Sequence, residues 1–121
     1  MGKEQVVESL RSAGALFAFV FGSHARGDAR PDSDLDVAAF FGGVIPASFE
    51  VLTPSGTDLL VLNTAPLELA GRVALEGELL FDDSPTERIT WLATTRKIYA
   101  DEQPRLNRAH REYAEAAKAR G

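Results

Sequence analysis

Two periodicities of apolar and polar positions run along this chain, and the switches between them mark its elements. Val6, Val7 and Leu10 recur at helical spacing, which predicts a short helix over residues 5–10 that Gly14 ends. From Ala15 to Phe21 the chain is continuously apolar, aromatic or β-branched, which predicts a strand buried on both faces. Ser23 can cap a short helix through Arg26, stopped near Gly27 and certainly before Pro31. A second apolar strand is predicted from Leu35 to Phe41. Gly42, Gly43 and Pro46 open a loop that continues through Pro54 and Gly56. A third strand, Leu59 to Leu62, follows directly on Asp58.

The second half alternates in the same way. Pro66 introduces a helix from Leu67 to Leu75, and Gly77 leads into a short strand from Glu78 to Phe81. Ser84-Pro85-Thr86-Glu87 reads as a capping box with proline at the first helical position. The helix it opens carries Ile89, Leu92 and Ile98 and is predicted to end near Gln103, with Pro104 as the break. Trp91, Ile98 and Tyr99 are assigned to the core. The remaining stretch, 105–121, is charged and alanine-rich, with Leu106 and Tyr113 its main apolar residues. It reads either as a solvated helix or as a frayed end that orders against a partner. The expected organisation is a domain over 1–104 and a helix or tail over 105–121.

At 121 residues the chain has room for a single core. A net charge of -5 argues against binding nucleic acid through the overall field, although a local basic patch would escape that argument. The absence of cysteine excludes disulfides, thiolate nucleophiles and cysteine-ligated zinc. The longest apolar run is far too short to cross a bilayer, and no basic, apolar leader opens the chain. A soluble, cytoplasmic protein without membrane attachment is expected.

Candidate chemistry concentrates between the first two strands. Asp34 and Asp36 share a strand face while Leu35 points to the other, and such like charges are tolerable around a cation. Taken alone, the pair reads more readily as solvated acids at a strand entrance, with Asp32 and Ser33 in a turn. Asp58, at the entrance of the third strand, supplies a third carboxylate if the strands pair. Hard oxygen donors without sulfur suit Mg²⁺ or Mn²⁺, and three acids can hold two metals about 3.5–4 Å apart for an in-line displacement. Asp58 is also placed to act as general base.

Upstream, Gly22 to Gly27 carries no lysine followed by serine or threonine and so is not a Walker A loop. Gly22 would admit a phosphate close to the backbone, Ser23 can donate to it, and Arg26 can neutralise it. His24 and His110 read as solvent-facing, Glu76 and Glu78 as solvated. Arg72 and Arg96 are individually uninformative, though either could face phosphates.

The run Gly22-Ser23-His24-Ala25-Arg26-Gly27, then Ser33-Asp34-Leu35-Asp36, with Asp58 as the later acid, resembles the signature of the polymerase-beta-type nucleotidyltransferases. Within these it is most similar to the minimal nucleotidyltransferases, the antitoxin halves of HEPN/MNT toxin–antitoxin pairs, over about residues 4–103. The resemblance implies an α+β fold, a small mixed sheet backed by helices. It places Gly22 and Ser23 on the triphosphate and Mg²⁺ on Asp34, Asp36 and Asp58; Arg26 and Ser33 are further candidates for the nucleotide. It implies an antitoxin of a type VII-like pair, transferring AMP from ATP to a tyrosine of a HEPN ribonuclease partner and so silencing it. Two alternatives stand beside it: a non-catalytic antitoxin that blocks the toxin sterically, and a small-molecule nucleotidyltransferase that completes its acceptor pocket by dimerising.

Overall fold

A computed structural model describes residues 3–27 and 34–120 of the chain. Helix α1 (Lys3–Ser12) leads into β1 (Ala15–Phe21), the single turn α2 (Ser23–Arg26) and β2 (Leu35–Phe41). A loop with one 3-10 turn reaches β3 (Thr57–Val61). Then come α3 (Leu67–Glu76), β4 (Glu78–Asp82) and the long α4 (Pro85–Arg120). The strands form one sheet in the order β3-β2-β1-β4. β1 runs antiparallel to both β2 and β4, whereas β2 and β3 are parallel. The expected small mixed sheet backed by helices is what the chain adopts.

Helices cover both faces of the sheet. Val6 and Leu10 of α1 pack with Ala18, Val37, Ala39 and Phe41 on one side. Phe17, Phe19, Ala38 and Val73 form the other, closed by Trp91 and Leu92 of α4. The unbroken apolar run of β1 is thereby explained, because a central strand with helices on both sides must be apolar on both. Phe17 is fully buried, stacks on Phe40 at 5.1 Å and meets Phe19 edge-on at 5.8 Å. Burying such a ring contributes about 1.5–3 kcal/mol.

Polar contacts fix the periphery. The Asn63 side chain accepts from the Phe41 amide at 2.8 Å and donates to the Phe41 carbonyl at 2.9 Å, so an amide stands in for one more ladder residue at the end of β2. The Arg11 guanidinium donates to both Asp83 oxygens at 2.7 and 2.8 Å and lies over the Phe81 ring. Gly71 lets α3 and α4 approach: the Tyr99 ring occupies the place a side chain there would need.

Four expectations are corrected. β3 begins at Thr57 rather than Leu59, because Leu35 pairs with Thr57 and its amide donates to the Gly56 carbonyl at 2.8 Å. Asp58 therefore lies inside the strand. Ile98 is exposed, as is Ile89, and the residues of α4 that turn inward are Trp91, Leu92, Thr95 and Tyr99. His24 is half-buried rather than solvent-facing.

The fourth correction is Pro104, which does not end the last helix: α4 runs through it. A proline inside a helix costs about 3 kcal/mol through a lost hydrogen bond and a clash. Pro104 is exposed, and side chains bridge it: Glu102 pairs with Arg105 at 3.6 Å and Gln103 donates to Asn107 at 3.5 Å. Beyond it, every described side chain is exposed, and His110 lies 3.5 Å from Glu68 of α3.

Candidate active site

The site forms where β1 ends and β2 and β3 begin. Phe21, the last residue of β1, pairs with Asp36 in the antiparallel register. The chain then turns at Gly22, whose φ of 72° and ψ of -146° only glycine adopts without strain. A Cβ there would also strike the Asp36 carboxylate. Gly22 is thus fixed twice, by its backbone and by its neighbour. Ser23 opens the single turn of α2, the Arg26 amide donates to the Gly22 carbonyl at 3.1 Å, and Gly27, with φ 79°, closes the turn.

The parallel pairing of β2 and β3 sets Asp36 directly opposite Asp58. Residues alternate across a strand, so Asp34, Asp36 and Asp58 share the face of Ala38 and Leu60, which α3 and α4 cover further along. Leu35 turns the other way and packs against the α1 side. Asp36 is half-buried; Asp34 and Asp58 are exposed. Burial, then the negative charges of Asp58 and Asp34, push the Asp36 carboxyl above the usual aspartate value, while His24 and Arg26 pull it back. Asp34, Asp58 and Arg26 therefore all act electrostatically on Asp36, and His24, expected at the surface, acts on it too. Ser33 lies outside the described residues.

Three oxygen donors whose mutual repulsion a cation would relieve suit Mg²⁺ or Mn²⁺ in kind and charge. Among the described residues no three acids, histidines or cysteines are drawn into a closed ligand set. The donor chemistry suits a divalent ion, while the side chains as placed form no ready-made cage.

Beside Gly22 and Arg26 opens a cavity of about 450 Å³ that Phe21, Leu69, Arg72 and Glu76 complete. Nothing along the chain marks it, because its far wall comes from α3, which is distant in sequence. A larger hollow of about 790 Å³ between α1 and residues 50–54 holds none of the predicted site residues.

The family described as polymerase beta, nucleotidyltransferase matches residues 4–86. Among curated proteins, none matches the sequence significantly. Solved structures share the fold. A chain of a toxin–antitoxin complex with AMP-PNP is 18% identical with a TM-score of 0.71, over 91% of this chain and 99% of that one. A chain of the toxin–antitoxin MntA-HepT is 17% identical with a TM-score of 0.63, over 89% and 96%. A chain of the complex of a tri-AMPylated Shewanella oneidensis HEPN toxin with MNT antitoxin is 16% identical with a TM-score of 0.61, over 89% and 95%. Among the described residues, no helix is long and apolar enough to cross a membrane.

Proposed function

From the premise that the chain belongs to the polymerase beta nucleotidyltransferase family, we propose that it is an antitoxin that transfers AMP from ATP to a tyrosine of a HEPN toxin. The observation that carries this reading is the register pair Asp36–Asp58 beside the Gly22 turn. The toxin–antitoxin assemblies among its structural neighbours, one with AMP-PNP and one with a tri-AMPylated toxin, support the choice of nucleotide and partner.

In this reading Gly22 admits the triphosphate to the backbone, the Ser23 hydroxyl donates to it, and Arg26 balances its charge. Ser33 joins them on the nucleotide. Asp34, Asp36 and Asp58 would hold Mg²⁺, which when bound neutralises charge on the triphosphate and on departing pyrophosphate. Asp58, exposed at its strand, takes the proton of the tyrosine hydroxyl. The hydroxyl oxygen bonds to the α-phosphorus as the bond to pyrophosphate breaks, and pyrophosphate carries off the electron pair. Positioning and charge stabilisation supply most of the rate in such a step.

The test is incubation with a HEPN partner, Mg²⁺ and α-labelled ATP, which should label tyrosine on the partner. Absence of label with folded components would refute the reading. Purely steric neutralisation is the competing reading, favoured by the exposed distal part of α4. An Asp34→Asn variant that still neutralises the toxin would support it.

A further inference from the structure

Arg72 and Arg96 were equivalent in the sequence, and the fold separates them. Arg96 donates through Nε to the Ala74 carbonyl at 2.8 Å, so it ties α4 to α3. Arg72, on the same helix as Ala74, lines the cavity of about 450 Å³ that opens beside Gly22 and Arg26. Its side chain is 61% exposed, and it meets Glu68, one turn earlier, at a long 3.7 Å. Such an exposed pair is weak and salt-screened, so a stronger anion can draw the guanidinium away at little cost.

The cavity is chemically two-ended. Arg26 and Arg72 bring positive charge to it from α2 and α3, Phe21 and Leu69 give an apolar wall, and Glu76 adds a carboxylate. Its volume falls in the range of sites for small molecules, about 300–1,000 Å³. On a chain of net charge -5, two arginines at one hollow form a local exception that a polyanion can use. Glu76 would repel phosphates, which assigns them to the arginine side.

Resting on the nucleotidyltransferase reading above, we infer that this cavity seats the nucleoside triphosphate and that Arg72 is a second phosphate clasp opposite Arg26. Phe21 and Leu69 then face the nucleoside, and Glu76 accepts from its hydroxyl or amino groups. The site is consequently shared between the β1–α2 turn and α3.

The experiment is calorimetric titration of the full chain in Mg²⁺ with ATP, inorganic tripolyphosphate and adenosine. Arg72→Ala should weaken ATP and tripolyphosphate at least tenfold, leave adenosine unchanged and preserve the circular dichroism spectrum; Arg72→Lys should recover part of the loss. Wild-type affinity of Arg72→Ala for both phosphates overturns the inference, as does a variant whose only defect is a raised KM for the acceptor protein, which would make the cavity an acceptor site. The two proposals fail separately. A wild-type chain that binds ATP but labels no partner sinks the transfer reading alone, and a chain that labels its partner while Arg72→Ala binds ATP normally sinks this inference alone.

Discussion

Replacing Asp36 by asparagine should make the free protein more stable while abolishing the proposed AMP transfer. Paired strands lie about 4.8 Å apart, so the Asp36 and Asp58 side chains leave the backbone about 5 Å from each other, which sets the scale for their charges. Two unit charges at that separation repel by about 0.8 kcal/mol in water and about 3 kcal/mol at an effective dielectric of 20. Asp58 is exposed and Asp36 half-buried, which favours the lower figure, about 1 kcal/mol. For a domain of this size, that raises Tm by about 3–5 °C.

The dependence on pH has a definite sign. Folding raises the Asp36 carboxyl, chiefly through burial, so its ionisation subtracts stability. The deficit of wild type against Asp36→Asn is therefore absent below the ordinary aspartate value of 3.8 and opens as pH rises through the elevated one. Thermal unfolding in chelator from acid to neutral pH measures the gap, and Mg²⁺ should narrow it by stabilising wild type more. Labelled AMP transfer should fall at least a hundredfold in the variant, by analogy with the loss of one key charge-stabilising group. A variant no more stable than wild type at neutral pH without metal would show that the acids do not strain the fold. Transfer at the wild-type rate would remove Asp36 from the chemistry.

Gly22→Ala forces a side chain into glycine-only backbone, costing about 1–3 kcal/mol. It also displaces the Asp36 carboxylate, so transfer should drop far more than melting temperature, read from the two assays side by side. Phe17→Ala empties a fully buried ring site and should cost about 3–5 kcal/mol, which urea unfolding resolves. A loss below about 1 kcal/mol would contradict the aromatic packing assigned to that face. Asp83 has the opposite pH behaviour to Asp36: its hydrogen bonds from Arg11 hold its carboxyl below the usual range, so the stability it supplies is present at neutral pH and lost as acid protonates it. Asp83→Asn should accordingly lose stability at neutral pH and flatten the acid limb of the stability profile.

What could be read from the chain alone was local. The bounds of β1 and β2 follow from two apolar runs, each signal lying within its own element. Helix α2 starts at Ser23 as expected, although Gly22 rather than the serine is its cap and no side chain caps it. Asp34 and Asp36 share a face by strand alternation, which needs no partner. Asp58 is different. Its place opposite Asp36 depends on β2 and β3 running parallel in one register, which is set by a long connection whose sequence says little about length or direction. The same limit hid His24, drawn towards Asp36 by the turn at Gly22, and Arg72, delivered to the cavity by α3. In α4 the helical period was plain but its phase was not: Tyr99 turns to Gly71 while Ile98, one residue earlier, faces water. Pro104 misled because proline reports only the cost of continuing, and not the half-buried Glu102 and Gln103 that pair across it with Arg105 and Asn107.

That proline divides the last helix in a way its unbroken outline conceals. With no amide N–H at position 104, the backbone staple to the turn below is missing, and beyond it every described side chain is exposed, with His110 beside Glu68 of α3. The upper length can therefore melt, bend or be seized without unzipping the lower one, which is anchored by Trp91 and Leu92. The fold thus carries a handle that stands clear of the sheet edge bearing Asp36 and Asp58.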